Sequence, residues 1–287
     1  IVLLPLASKM KEKKKQSYLY SLFVSNDREL PGQLEQKVFG LITTGNGTTK
    51  NTASGRLDTL NDYTLPFLKQ TSGQELQIKD IAVSSGISST EWHAFLMQNR
   101  IRSRITATDL FASAFLTEIT PALSVLRDNS HNPILIEYRN SFFRTSFPKG
   151  SYRHGWGIVI SALIKMMLKS NSKKTEPVLL LSQSVRKNES VSFLEQDIML
   201  PPGPDELEKY DVIRAANILN KVYFSDKTLK QISDHLSVQL KPDGLLIVGK
   251  TDRNGLNHAQ IYRKTDQGFV SLGKMNEGAE ADSIIRS

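Results

Sequence analysis

The stretch that decides the fold runs from Leu76 to Asp109. It opens with the apolar segment LQIKDIAV at 76–83, turns through SSG at 84–86, continues with a helix-like segment and closes with ITATD at 105–109. This is the pattern of a strand, a cofactor loop, a helix and a second strand whose terminal carboxylate contacts ribose. The pattern therefore predicts a parallel sheet that binds a nucleoside-containing cofactor.

The segments that follow alternate between strands and helices, as a parallel sheet with crossover helices requires. We predict strands near residues 76–83, 101–109, 178–182, 210–215 and 245–249, and helices near 88–99, 113–126, 156–169 and 226–240. Two further runs, 260–263 and 269–272, predict a hairpin. The expected fold class is α/β: a Rossmann-like, mostly parallel seven-stranded sheet with helices on both faces, an antiparallel C-terminal β-hairpin, and an insertion between strands 2 and 3.

Composition excludes several classes of function. The chain has 287 residues, 39% of them hydrophobic, which is enough to bury a core. It contains no cysteine, so disulfides, thiolate metal sites and cysteine nucleophiles are excluded. Its five histidines show no pairing at ligand spacing, and no metal site is predicted. The apolar run at 158–168 is too short to cross a bilayer, so we expect no membrane span and a cytoplasmic protein.

Three segments carry a resemblance to a known family. They are DIAVSSG at 80–86, YDVIRAANILNKVYF at 210–224 and LKPDGLLIV at 240–248. The chain resembles the Rossmann-like (class I) S-adenosylmethionine-dependent methyltransferases, and its fourth-strand region resembles the chemotaxis-receptor methyltransferases. In the first motif Ala82 and Ser84 stand where the family usually has glycine, and only Gly86 is kept. In the third, Asp243 replaces the usual first glycine of the turn.

The loop composition agrees with this cofactor. A dinucleotide needs glycines because its pyrophosphate must approach the backbone amides closely. S-adenosyl-L-methionine carries no phosphate, so the side chains of Ala82 and Ser84 hinder its binding less than they would hinder a dinucleotide. Asp109 follows Gly86 by 109 − 86 = 23 residues, close to the roughly 20 expected for a ribose-binding acid. By resemblance, Asp197 accepts a hydrogen bond from the adenine amine, and Asp80 orients the loop or meets the methionine ammonium.

The cofactor-binding residues predicted in this way form one set. They are Asp80, Ala82, Ser84, Gly86, Asp109, Leu110, Asp197, Ile198, Arg214 and Asn217. Each acid also has a structural alternative: Asp109 as a helix cap and Asp197 as a turn residue. Asn217 alternatively ends a strand, or lies near the methionine moiety or the substrate.

The expected domains are an N-terminal helical and loop extension at 1–70 and a methyltransferase domain at 71–287 with an insertion at about 127–177. The insertion is expected to contain a hairpin at 133–147 that turns at Arg139 and Asn140. We interpret it as a lid and substrate wall, with a structural flap as the alternative. Its basic residues favour an anionic substrate. The predicted substrate-binding residues are Arg139, Arg144, Arg153 and His154.

The predicted activity is methyl transfer from S-adenosyl-L-methionine to a small-molecule or protein acceptor, with S-adenosyl-L-homocysteine as the product. Such chemistry depends on holding the nucleophile in line, and no catalytic residue is assigned. His154 and Tyr223 are the candidates if a base is needed. A net charge of +8 keeps an RNA substrate open. The chain could instead be a noncatalytic nucleoside-binding or interaction module, or a nicotinamide reductase, and its oligomeric state is unknown.

Overall fold

The computed structural model of the protein describes residues 17–25, 32–44, 49–50, 53–71, 74–145 and 174–287, together with residues 162, 164 and 166. The chain divides into two compact units. The larger unit comprises residues 53–110 and 184–287, and the smaller unit comprises residues 1–52 and 111–183. These limits differ from the predicted domain limits at residue 70 and at 127–177. In the described part of the chain, no helix is long and apolar enough to span a membrane.

Both units contain helices and strands, numbered in chain order. The helices are α1 (Tyr18–Phe23), α2 (Gly32–Leu41), α3 (Asp58–Thr71), α4 (Ile87–Gln98), α5 (Gln183–Arg186), α6 (Asp226–Gln239) and α7 (Asp282–Ile285), with a 3₁₀ helix at Pro204–Glu206. The strands are β1 (Leu76–Ile81), β2 (Ser103–Asp109), β3 (Ser113–Thr120), β4 (Leu123–Arg127), β5 (Pro133–Tyr138), β6 (Ser141–Arg144), β7 (Thr175–Leu179), β8 (Val191–Glu195), β9 (Tyr210–Ala216), β10 (Leu240–Thr251), β11 (Asn257–Thr265) and β12 (Gly268–Met275).

The larger unit is built on a seven-stranded mixed sheet with the order β12-β11-β10-β9-β1-β2-β8. The neighbours from β8 to β10 are parallel, whereas β11 is antiparallel to both β10 and β12. From β1 the chain adds β2 and β8 on one side of the sheet, and then β9 and β10 on the other side. The switch point of the sheet therefore lies between β1 and β9. Open α/β sheets bind ligands at such a switch point, outside the carboxyl ends of the strands. The predicted α/β class, the seven-stranded sheet and its antiparallel C-terminal hairpin are confirmed.

Helices cover both faces of this sheet. Ile81 and Ile213 lie on one face, where they pack in a buried cluster with the apolar stripe of α6. Asp80 and Arg214 are paired neighbours on the opposite face, where they contact α4. Because the strands are covered on both sides, they read as nearly continuous apolar runs in the sequence. This is why β1, β2 and β9 could be predicted.

Helix α6 begins where the sequence predicts. Ser225 caps it by accepting a hydrogen bond from the backbone N of Thr228 at 3.2 Å. The KPDG turn that follows forms an irregularity in the pairing of β9 with β10, between Leu240 and Leu245. Within that turn Asp243 has a φ of +60°. The turn lies within the first part of β10, and regular pairing with β9 resumes at Leu245.

The smaller unit is built on an antiparallel five-stranded sheet with the order β6-β5-β4-β3-β7. Apolar residues of α1 and α2 pack against it in one buried cluster. Tyr138 and Ser141 pair across a two-residue turn formed by Arg139 and Asn140, whose φ values are +47° and +65°. Positive φ at both central residues is what a type I′ hairpin turn requires. The hairpin predicted at this position is therefore confirmed.

Two predicted elements are wrong. The segment 113–126, predicted as a helix, contains β3 and most of β4. Pro121 would interrupt such a helix, and the β-branched residues around it favour strands. The segment 178–182, predicted as a parallel strand of the main sheet, instead supplies the end of β7, which pairs antiparallel with β3. The predicted helix at 156–169 lies mostly outside the described residues, of which 162, 164 and 166 are helical.

Candidate functional site

The loop after β1 has three left-handed residues at alternate positions. Ala82, Ser84 and Gly86 have φ values of +57°, +62° and +80°. Glycine is required at 86, because a Cβ atom there would lie 2.6 Å from Cγ2 of Val185. Ala82 and Ser84 adopt the same region with side chains present, which costs about 1–2 kcal/mol per residue. The three positions therefore have a backbone conformation that glycine usually occupies, but glycine stands at only one of these three positions.

Asp109 lies against this loop. It is the last residue of β2, and its Oδ2 accepts a hydrogen bond from the backbone N of Ser84 at 2.7 Å. The backbone N of Val83 donates to the carbonyl of Thr108 at 3.1 Å, which joins the loop to β2 a second time. The carboxylate thus lies at the loop amides, where the phosphates of a dinucleotide would have to approach. Its negative charge disfavours a phosphate at this place.

Asp197 reaches the same edge of the sheet from the next loop. It follows β8, which pairs in parallel with β2 up to the ends of both strands. Its Oδ1 accepts a hydrogen bond from the backbone N of Met199 at 2.9 Å, and within the described part of the chain its Oδ2 has no hydrogen bond. Ile198 packs against the cluster under α6, and Leu110 is exposed. The structure thus brings Asp109 and Asp197 to the carboxyl ends of adjacent strands.

Asp80 and Arg214 form a buried ion pair. Nε and Nη2 of Arg214 donate to the two carboxylate oxygens of Asp80 at 2.9 and 2.6 Å, and the side chains are 1% and 3% exposed for Arg214 and Asp80. Ser89 of α4 also donates to this carboxylate, at 2.6 Å, and the guanidinium lies 3.9 Å from the ring centre of Trp92. Burial and the charge of Arg214 lower the pKa of Arg56 nearby. The pair therefore fixes the first turn of α4 relative to β1.

Asn217 ties the ends of β9 and β10 together. Its backbone N donates to the carbonyl of Gly249 at 2.7 Å, and its Oδ1 accepts from the backbone N of Thr251 at 2.6 Å. Its φ of +62° is one that asparagine tolerates better than most residues. Nδ2 is buried and has no partner among the described residues. The side chain is therefore held by its oxygen at the carboxyl edge of the sheet.

Of the predicted base and substrate residues, the structure describes Tyr223, Arg139 and Arg144. Tyr223 is 52% exposed in the turn after β9. In the smaller unit, the guanidinium of Arg139 lies 5.3 Å from the ring centre of Tyr138, and Nη2 of Arg144 donates to the carbonyl of Gly40 at 2.6 Å. Arg144 thus holds the end of α2. Two further predicted residues, Arg153 and His154, lie outside the described residues.

Sequence reasoning missed a buried network on the α6 face of the larger unit. Lys79 in β1 pairs with Glu206, and Glu206 also accepts from Gln196. The signal in the sequence was a lysine within the apolar run of an interior strand, because a buried lysine requires a partner. The partner lies 127 residues away in the sequence and could not be named. Among the described residues, no group of three or more His, Asp or Glu side chains could hold a metal ion.

No protein-family model and no curated protein matches the chain. Among solved structures, the chain is similar to the N-methyltransferase NodS from Bradyrhizobium japonicum WM9 in complex with S-adenosyl-L-homocysteine, at 14% identity and a TM-score of 0.34, covering 75% of this chain and 72% of NodS. It is similar to the PH0226 protein from Pyrococcus horikoshii OT3 at 13% identity and a TM-score of 0.35, covering 90% and 89%.

A third similar structure is the CMeT domain of the citrinin polyketide synthase, at 15% identity and a TM-score of 0.36. That match covers 67% of this chain and 34% of the other, so this chain spans about a third of its length.

Proposed function

We propose that the larger unit binds S-adenosyl-L-methionine and that the protein is a methyltransferase. The observation that carries the proposal is the hydrogen bond between the Asp109 carboxylate and the Ser84 amide, which joins the carboxyl ends of β1 and β2 next to the switch point between β1 and β9. This bond keeps an acid beside a left-handed loop at the carboxyl ends of β1 and β2, where open α/β sheets bind nucleosides. The resemblance of the 210–224 and 240–248 segments to this family supports the same proposal.

The charge of the site favours this cofactor over a dinucleotide. A pyrophosphate would be drawn to the loop amides, but the amide of Ser84 already donates to a carboxylate. Two phosphate charges would meet Asp109 at close range in a partly buried place. A nucleoside that bears a sulfonium and no phosphate meets an attractive carboxylate instead. The proposed ligand is therefore compatible with the residues present.

The proposed roles follow from the position of each residue. Asp109 accepts hydrogen bonds from the ribose hydroxyls, and Asp197, whose Oδ2 carries no bond in the described part of the chain, accepts from the adenine amine. Leu110 and Ile198 flank the base. The loop 82–86 lies under the ribose and the amino acid portion, and Asn217 lies towards the methionine end. Asp80 and Arg214 act indirectly, by holding α4 and the loop in place.

When bound, S-adenosyl-L-methionine supplies an electrophilic methyl group and leaves as the neutral thioether S-adenosyl-L-homocysteine. The protein has little acid-base work to do, because the leaving group needs no proton. Its task is to hold the acceptor in line with the methyl group in a site that excludes water. A base such as His154 or Tyr223 is required only when the acceptor arrives protonated. We propose a small-molecule or protein acceptor, and the basic composition of the sequence between residues 139 and 154 favours one with a negative charge.

Calorimetry with four ligands tests the proposal. The wild-type chain is expected to bind S-adenosyl-L-methionine and S-adenosyl-L-homocysteine, and to give no heat with NAD or NADP. Asp109→Asn can still accept from Ser84, so it keeps the loop but loses the charge-assisted bond to ribose. It is expected to weaken binding about tenfold or more. Asp197→Asn is expected to weaken binding by a similar factor. Asp266→Asn in the exposed β11–β12 turn is the matched control, which removes one carboxylate away from the proposed site.

One observation favours a second candidate, a noncatalytic nucleoside-binding module. Ala82 and Ser84 carry side chains in a loop where glycine is usual, and these side chains would narrow the space for a cofactor bound against the loop. Release of S-adenosyl-L-homocysteine in the presence of pools of acceptors, including RNA, separates the candidates. Turnover with any pool supports the methyltransferase. Tight binding of the methyl donor without turnover in every pool supports the module.

A further inference from the structure

A buried polar network lies on the face of the larger unit that α6 covers. Its centre is Lys79 of β1, which is 2% exposed. Its Nζ donates to Oε1 of Glu206 at 2.7 Å and to Oε1 of Gln239 at 2.5 Å. An ammonium group is stable in such a place only when its hydrogen-bonding capacity is met by partners. Lys79 therefore anchors Glu206 to an interior strand of the sheet.

Glu206 also binds a residue outside its pair with Lys79. Its second oxygen, Oε2, accepts a hydrogen bond from Nε2 of Gln196 at 2.7 Å. Burial alone would raise the pKa of Glu206, but the hydrogen bond and charge of Lys79, with the amide of Gln196, hold it below the ordinary value. The group is therefore a carboxylate at neutral pH and can accept from both partners at once.

Gln196 connects the network to the two acids of the candidate site. It is the first residue after β8 and directly precedes Asp197. Its backbone N donates to the carbonyl of Asp109 at 3.0 Å. The residue is thus held at both ends, by Asp109 through its backbone and by Glu206 through its side chain. The direction in which the chain leaves β8, and so the placement of Asp197, depends on these two bonds.

We propose that Gln196 is a positioning residue for nucleoside binding: anchored through Glu206 to Lys79, it sets the Asp197 turn at the distance from Asp109 that grips one adenosine. This inference rests on the proposed function. Removal of the Gln196 amide leaves the pair of Lys79 and Glu206 intact, so the buried charges stay paired and only the Asp197 turn is loosened.

The test compares Gln196→Ala with Gln231→Ala in the full chain. Gln231 of α6 is the matched control, because its Nε2 donates to the carbonyl of Met199 in the same turn, at 3.3 Å, without touching the buried network. Calorimetry measures binding of S-adenosyl-L-homocysteine and of adenosine. Gln196→Ala is expected to raise both dissociation constants about tenfold and by the same factor, since both acids contact the shared adenosine. Gln231→Ala is expected to change them less than about twofold.

The possible outcomes separate this inference from the proposed function. If the wild type binds and Gln196→Ala binds equally well, the positioning role is overturned and the proposed function stands. If the wild type binds neither ligand, the proposed function and the inference both fail. Gln196→Met removes the amide but keeps the length of the side chain, so it serves as a second variant in case Gln196→Ala does not fold. If Gln196→Ala and Gln196→Met both lower the melting temperature of the ligand-free protein by more than about 10 °C, Gln196 serves folding and the positioning role is overturned.

Discussion

Two residues of the loop after β1 keep a backbone conformation that their own side chains disfavour. Ala82 and Ser84 have positive φ values. Gly86, the third residue of the loop with a positive φ, has no room for a Cβ atom because Val185 packs against it. Left-handed backbone is a cost of about 1–2 kcal/mol for a residue with a Cβ atom. The surrounding bonds, among them the one from Ser84 to Asp109, hold the loop in place against this strain.

Glycine at position 82 is expected to be tolerated unusually well. Ala82→Gly removes about 1–2 kcal/mol of backbone strain from the folded state. It also stabilises the unfolded chain by about 0.4–1 kcal/mol of conformational entropy, so the free energy of unfolding should stay level or rise by up to about 1.6 kcal/mol. The matched control is Ala94→Gly on the exposed side of α4, which should lose about 1 kcal/mol. Urea titration measures both. Equal losses for the two variants would show that the loop at 82 carries no strain.

Among the elements of the larger unit, one ion pair contacts four. Asp80 of β1 and Arg214 of β9 are neighbours in the sheet, and both contact α4. The guanidinium also donates to the Asn61 side chain of α3 at 3.1 Å. An interaction shared by two strands and two helices contributes to the position of each of them. The loop between β1 and α4 depends on this arrangement, because Asp80 holds Ser89 in the first turn of α4.

Neutralising one member of this pair should destabilise the larger unit strongly. Asp80→Asn leaves the Arg214 charge buried without its counterion, and the expected loss is about 3–5 kcal/mol in the free energy of unfolding. The double variant Asp80→Leu with Arg214→Met removes both charges and should recover most of that loss. Chemical denaturation measures the loss for Asp80→Asn, and the double variant together with Asp80→Leu alone and Arg214→Met alone gives the coupling energy. A single-variant loss below about 1 kcal/mol would contradict the structural role.

The strands of the main sheet could be predicted because their residues are buried on both faces, and the cap of α6 because Ser225 is a typical first residue. The pairing of Asp80 with Arg214 could not, because it depends on the register between β1 and β9 and on a sequence separation of 134 residues. The smaller sheet was missed in part because short apolar segments such as 113–126 fit either a helix or a strand, and Pro121 was the signal against the helix. Predictions about the roles of Asp109 and Asp197 remain predictions.

At the scale of the whole molecule, buried tyrosines link stability to pH. Burial, with the charge of Glu206, raises the pKa of Tyr210 to about 12 from its ordinary value of 10.0. Burial and the charge of Asp282 also raise the pKa of Tyr262. A group whose pKa is raised on folding contributes stability that is complete below the unfolded value and is lost as the pH rises through the folded value. The stability contributed by Tyr210 should therefore be lost between about pH 10 and pH 12.

Melting temperatures between pH 8 and pH 12 test this dependence. The wild type should lose stability above about pH 10, and Tyr210→Phe should lose less over the same interval because one of the buried hydroxyls is absent. Tyr223→Phe is the control for removal of a tyrosine hydroxyl from an exposed position, since this side chain is 52% exposed. If Tyr210→Phe and Tyr223→Phe had the same slope as the wild type, the ionisation of Tyr210 would not be linked to unfolding.

In the proposed site, Asp109 and Asp197 hold one phosphate-free adenosine at the carboxyl ends of β2 and β8. A crystal structure with bound S-adenosyl-L-homocysteine measures this most directly. We expect the ribose hydroxyls at about 3 Å from the Asp109 carboxylate and the adenine amine at about the same distance from the Asp197 carboxylate. Binding of the nucleoside away from these two side chains, or no binding at millimolar ligand, would contradict it.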